Sequence, residues 1–471
     1  MAARDAGRQR GRIVRDYFVD WGFLENPFQP NALNPDDRGE RLLVGREDEV
    51  GVVCRRLHKQ KKITCVEGPV GFGKTSLVNI AAHKCFKAFA RRETDQLLIP
   101  CRQTFQLDKS DTTESFSSRV FMAVAQTLLE LSGNVRGLGL SMQGMSQVDN
   151  WLNSPRAKAF SMGLGGVSAG MGIAPNASSG FAASGFENRV VGWLEEIFRS
   201  HGNGGVVCIV DNLELLETTA KARATLEALR DRLFNTVGLR WVFCGAHGVV
   251  HSIASSPRLN GFTTRPVVQV NHLSPEATNA VLASRIQEFA VAPEKTYLPI
   301  LEANFNELYK VLNFNLRDLL AYADNYCTEV YDSGLAPKND AGKARRFETW
   351  LRTETVEQYR SLQSRILADA WTVLDTAMGM QFAGTFGPGD YPVFRANDLK
   401  SLSEDAFHKV LRSFEKHGLL DRSVREGDDD EGKQTLYSVT SKGALVHYAR
   451  VQTKEARVPG TVDWLRRSSQ Q

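Results

Sequence analysis

Gly68-Pro69-Val70-Gly71-Phe72-Gly73-Lys74-Thr75 decides how the rest of this chain is read. The apolar run Ile63-Thr64-Cys65-Val66-Glu67 precedes it, and a helical pattern opens at Ser76-Leu77-Val78. Strand, glycine-rich loop and helix, with Lys and Thr closing the loop, form the order that cradles a nucleotide polyphosphate. Glycines let backbone N–H groups turn inward around the β-phosphate, and the helix N-terminus adds its positive end. Gly68, Pro69, Val70, Gly71, Phe72, Gly73, Lys74, Thr75 and Ser76 are therefore expected to hold the nucleotide. Lys74 bridges the β- and γ-phosphates, and the Thr75 hydroxyl is a ligand for Mg²⁺. The pattern has few fixed positions, but the flanking strand and helix argue against a chance match.

Working outward, 471 residues accommodate two or three domains with a substantial core. Composition is that of a globular protein, 42% apolar and 24% charged, which excludes collagen-like and coiled-coil architectures. A formal charge of +4 permits nucleic-acid binding without requiring it. Seven cysteines lack metal-ligand spacing, and Cys65, Cys208 and Cys244 fall in apolar runs, as expected of buried thiols in a reducing compartment. No signal-peptide core and no membrane-spanning run is evident, so a cytoplasmic protein is expected.

Upstream of the loop, residues 1–25 read as a basic, flexible segment, yet Phe18, Trp21, Phe23 and Phe28 are too many aromatics for a free tail. Arg46, before the helical pattern of Val50, Val53 and Leu57, either contacts the nucleotide or solvates a loop. Downstream, Leu97 to Arg102 reads as a strand and Ser115 to Leu131 as a helix. Residues 133–185 are rich in Gly, Ser, Ala and Met, with a weak alternation over 159–168. They read as an insertion, either a surface hairpin or a pore, partner or DNA-facing element. A helix follows from Glu187 to Arg199.

Val206 to Val210 is a buried-strand run ending in Asp211, whose carboxylate can reach the Mg²⁺ shell. The next position, where a Glu polarises the attacking water, is Asn212; an amide orients water but is a poor proton acceptor. Either Glu214 substitutes, or hydrolysis is slow and the nucleotide acts as a switch. A helix is expected from Thr219 to Phe234, then the strand Arg240 to Cys244, with His247 as the polar group at its tip.

Ser256-Pro257-Arg258-Leu259, the strand Val267 to Val270, Leu273-Ser274-Pro275-Glu276-Ala277 and Asn315-Leu316-Arg317-Asp318 follow in that order. The arrangement resembles the AAA+ ATPases of the origin-recognition and initiator group, with some likeness to bacterial signal-transduction P-loop ATPases, over residues 26–330. The resemblance implies an α/β AAA+-type P-loop core (26–275) and a helical lid (276–332). Gly68 to Thr75 resembles Walker A and Val207 to Asp211 resembles Walker B, from which Asn212 departs. His247 is similar in place to the sensor 1 residue, which is more often Asn or Thr. Arg258 resembles an arginine finger offered to the next subunit, with Arg265 in reserve, and Arg317 resembles sensor 2. A homo-oligomer follows if the finger is real. Independently of the family, a fixed cation near the γ-phosphate stabilises the charge that develops in transfer.

A linker is expected over 333–349. Residues 350–455 read as a long helical pattern through Val356, Tyr359, Leu362, Ile366 and Val373, a short strand Pro392-Val393-Phe394 and a short helix Asn397 to Lys400. A helix after Ser403, two β-like arms and a last helix follow, then a tail from 456. This resembles a winged helix-turn-helix domain. Phe407, Val410, Leu411 and Phe414 face its core, while Lys409, Arg412 and Lys416 lie opposite, where duplex DNA is contacted. Asp428 to Glu431 at the wing tip repel phosphate, which leaves a protein partner as the other reading. The function expected is an ATP- and Mg²⁺-dependent ATPase switch coupling assembly to DNA; the alternative is a slow signalling or scaffold ATPase that recruits a protein. No further motor motif supports processive unwinding, and no acceptor pocket is legible for a kinase.

Overall fold

The computed structural model describes residues 16–59, 62–108, 110–131, 183–199, 201–213, 226–246, 248–250, 258–379, 385–396, 402–425 and 434–455. Most of the 133–185 insertion, the Asn397 to Lys400 helix and the acidic wing tip lie outside these residues. The chain divides into two compact units: Ala32–Asn271 with Arg422–Leu436, and Met1–Asn31 with His272–Asp421 and Tyr437–Gln471.

In the first unit, β1 (Thr64–Glu67), β2 (Leu98–Phe105), β3 (Gly205–Val210), β4 (Leu239–Gly245) and β5 (Val268–Gln269) form one parallel sheet in the order β2-β3-β4-β1-β5. Every residue of β1, β3 and β4 is buried. That is why apolar residues dominate them, with Thr64, Glu67 and Arg240 the polar exceptions: helices cover both faces of a parallel sheet. One face packs Phe116, Val120, Trp193 and Phe198 from helices Thr113–Glu130 and Ala183–Arg199. The first of these is stopped from fraying by a Thr112/Ser115 capping box. The second starts four residues before the expected Glu187.

The helix after the loop, Lys74–Ala90, buries Leu77, Val78 and Ile80 and packs along β2 to β4. Helix Asp37–Leu42 is tied to it by Lys87, which donates to Asp37 at 2.7 Å and Glu40 at 2.8 Å. Those bonds, with His83, hold the exposed Asp37 carboxyl down at about 2. The helix expected to end at Phe234 does so in a π-helical turn, Arg230–Phe234.

In the second unit, helices Pro275–Phe289, Glu302–Val311 and Leu316–Asp332 occupy the span expected of a lid, the first and third capped by Ser274 and Asn315. Phe18, Phe23 and Phe28 are buried there, so the aromatic N-terminal segment is part of a core.

Three expectations fail here. The chain over 340–349, expected to be linker, is helical: Asn339 accepts from the Gly342 N–H at 2.8 Å and starts the helix Asp340–Gln363. The long helical pattern does not continue past Gln363; a 3-10 turn, Ala368–Ala370, leads to a new helix, Trp371–Gly379. Pro392-Val393-Phe394 is not a strand but the middle of helix Tyr391–Ala396. Pro392 sits in its first turn, where the missing N–H has no helical partner to lose, and Phe394 is buried.

Helix Glu404–Lys416, the two-stranded sheet of β6 (Leu420–Arg425) and β7 (Gln434–Val439), and helix Ser441–Glu455 then follow in the expected order. No helix among the described residues is long and apolar enough to cross a membrane.

Candidate nucleotide site

The loop turns where β1 ends, and its glycines are needed for two different reasons. A Cβ on Gly68 would lie 2.5 Å from the Val270 carbonyl oxygen, so only glycine lets the loop start this close to the strand-end chain. Gly73 has open space around a Cβ but a φ of +86°, the left-handed region in which a side chain is strained. Lys74 follows as the first helical residue. Its ammonium is buried and donates to the carbonyls of Gly68 (2.9 Å) and Pro69 (3.0 Å), so it lies across the mouth of its own loop.

Asp211, the residue after β3, is also buried. The Thr75 hydroxyl donates to Asp211 Oδ2 at 2.5 Å, joining residues 136 positions apart. Asp211 Oδ1 accepts the Asn212 N–H at 2.9 Å, and the Asp211 N–H is held by the Phe105 carbonyl at 2.8 Å. The facing hydroxyl and carboxylate could hold Mg²⁺, and the buried Lys74 ammonium, one residue before Thr75, could meet phosphate oxygens. Oxygen ligands suit that hard cation, and the loop amides and Lys74 suit the phosphates. Asn212 has a φ of +55°.

Other expected residues fall in varied places. The Ser76 hydroxyl accepts the Leu33 N–H at 3.0 Å and anchors the segment upstream of the loop helix. Phe72 is buried, whereas Val70 is 36% exposed at the loop tip. Arg46 is buried before helix Glu47–Leu57; it pairs with Glu49 at 3.1 Å and donates to the Asn271 carbonyl at 2.5 Å. It solvates no loop: it ties the helix start to the end of the unit. Arg258, Arg265 and Arg317 are exposed, Arg317 in the first turn of its helix. His247 and Glu214 lie outside the described residues. Lys409, Arg412 and Lys416 are exposed on a helix that buries Phe407, Val410, Leu411 and Phe414.

The sequence reading passed over Glu67 and Arg230. Glu67 is buried at the foot of the loop; Oε2 accepts from Gln269 at 3.3 Å and Oε1 has no partner among the described residues. Its signal was an acid ending an apolar strand.

Parallel strands ordered 2-3-4-1-5, a phosphate loop after β1 and a carboxylate after β3 define an α/β core of the P-loop type. No protein-family model matches the chain, and no curated protein matches it. Among solved structures it is similar to the Aeropyrum pernix ORC2 protein in its ADPNP–ADP complexes, at 11% identity over 92% of this chain and 100% of that one, TM-score 0.46. The Aeropyrum pernix ORC1 protein in complex with DNA is 12% identical over 88% of this chain and 94% of that one, TM-score 0.42. A Walker-type ATPase of Pyrococcus abyssi is 14% identical over 90% and 99%, TM-score 0.42. The fold and the residue roles rest on the geometry of this chain.

Proposed function

We propose that this chain is an ATP-binding, ATP-hydrolysing switch that couples nucleotide-dependent self-assembly to duplex DNA. The observation that carries the reading is the Thr75–Asp211 contact beside the buried Lys74 ammonium. Thr75 and Asp211 would hold Mg²⁺, which when bound neutralises charge on the phosphate oxygens. The loop N–H groups bind the β-phosphate, and Lys74 exchanges the Gly68 and Pro69 carbonyls for phosphate oxygens. Asn212 orients water without taking its proton. Arg258, from a neighbouring copy, and Arg317 supply cations to the γ-phosphate as its charge spreads. Lys409, Arg412 and Lys416 meet backbone phosphates from the exposed face of a winged helix.

One observation favours a second reading. Asn212 stands where a base is needed, so slow hydrolysis and a closed ATP-held state that recruits a protein partner are the alternative. ATP turnover measured across protein concentration, with and without duplex DNA, tests the two, with K74A as the blank. Turnover that rises with concentration and with DNA supports the switch on DNA. Tight ATP binding with turnover no higher than K74A at any concentration supports the slow form.

A further inference from the structure

We infer that Arg230 is a positioning residue for Arg258, clamping the loop from which that arginine is offered to a second copy of the chain. The inference rests on the finger reading of Arg258 and adds the group that sets where the finger starts.

Arg230 opens the π-helical turn Arg230–Phe234 in the helix that follows β3 and Asp211 in the chain. Such turns are rare and recur at functional sites because the extra residue re-aims side chains. One edge of the Arg230 guanidinium is filled by Asp231, with Nε to Oδ1 at 2.7 Å and Nη2 to Oδ2 at 3.0 Å. The remaining nitrogen, Nη1, donates to the backbone carbonyl of Arg258 at 3.2 Å. The flat face lies over the Phe262 ring, 5.5 Å from its centroid.

Phe262 cannot drift, because its carbonyl accepts the Ile63 N–H at 2.6 Å and the Thr264 N–H returns to the Ile63 carbonyl at 2.9 Å. Those bonds tie the loop to the chain entering β1. Leu259, next to Arg258, is fully buried. Residues 258–262 are thus gripped at a carbonyl, an apolar side chain and a ring, while the Arg258 side chain stays exposed with no hydrogen bond or ion pair among the described residues.

The chemistry explains why the clamp is arginine. Only a planar fork can pair a carboxylate, donate to a carbonyl and stack on a ring at once; a lysine ammonium cannot. Asp231 also offsets the clamp's charge, so Arg258 remains the cation presented to polyphosphate.

A group displaced by about 1 Å costs on the order of 10²-fold in rate. In the full-length protein, R230A is therefore expected to lower kcat by between about tenfold and a hundredfold, with KM for ATP nearly unchanged. R230K should fall between R230A and the parent. Mixing supplies a readout that simple instability does not give. K74A carries an intact finger and a dead site, so adding it to R230A should restore turnover, as it should for R258A. R230A mixed with R258A should restore none. Full turnover in R258A alone overturns the finger reading and this one with it. A fully active R230A beside an inactive R258A overturns this one alone. So does an R230A that K74A fails to rescue while rescuing R258A.

Discussion

Asn212 shows how much one residue's conformation can settle. Its φ of +55° is tolerated by asparagine, whose short polar side chain bonds locally, and its N–H is bonded to Asp211 Oδ1. A glutamate there would meet the left-handed cost of roughly 1–2 kcal/mol and would leave the strand end in a different direction from an extended residue. N212E is therefore expected to destabilise the protein by about that amount in urea denaturation and to leave turnover unraised, whereas N212G keeps near-parent stability. Turnover rising severalfold in N212E would show that the position accepts a base after all. The asparagine was legible in the sequence; its φ was not, because φ is set by the bonds the strand end makes.

Elements differ in how openly they declare themselves. The loop and the strands β1, β3 and β4 did so, because a glycine pattern and a predominantly apolar run are local signals. Helix Tyr391–Ala396 did not, since a three-residue apolar cluster fits strand or helix until its packing chooses. Helix Asp340–Gln363 begins in a stretch with no periodicity because Asn339 caps it.

Helix Glu47–Leu57 carries a testable consequence. None of the seven cysteines is in a disulfide, and Cys54 on this helix is the one that is not buried. The Cys85 thiol, hydrogen-bonded to the Cys54 sulfur, holds the Cys54 thiol below its ordinary value. Burial pushes Cys65 up to about 12. A lowered thiol pKa means more thiolate at a given pH, so Cys54 labelling should rise with pH below the usual thiol range of about 8.5. Iodoacetamide on the folded protein is expected to modify Cys54 first, with the other six following only in denaturant, as read by peptide mass spectrometry. Cys65 labelling as fast as Cys54 would contradict this packing.

At the scale of the whole molecule, a charge of +4 gives no general attraction to nucleic acid, so any DNA affinity has to come from a local patch. Lys409, Arg412 and Lys416 are such a patch, three exposed cations on one helix face. Three phosphate contacts release counterions with a slope of roughly −0.9 each, so log K against log salt should fall with a slope of about −2.7. Changing all three to alanine should flatten the slope and weaken binding alike on different sequences. A parent protein whose DNA affinity ignores salt would turn the helix toward a protein partner.

The sequence by itself determined the phosphate loop, the two carboxylate-ended and loop-ended strands, the polar face of helix Glu404–Lys416 and the departure at Asn212. Each depends on glycine conformation, side-chain period or residue chemistry acting within about ten neighbouring positions. Only the tertiary structure decided that β4 lies between β1 and β3, that Thr75 meets Asp211 across 136 residues, that Arg46 is tied down at Asn271, and that Arg230 holds the Arg258 carbonyl. Those contacts join residues whose separation in the chain carries no pattern. Their formation depends on closing long loops around a shared core, which no local signal records.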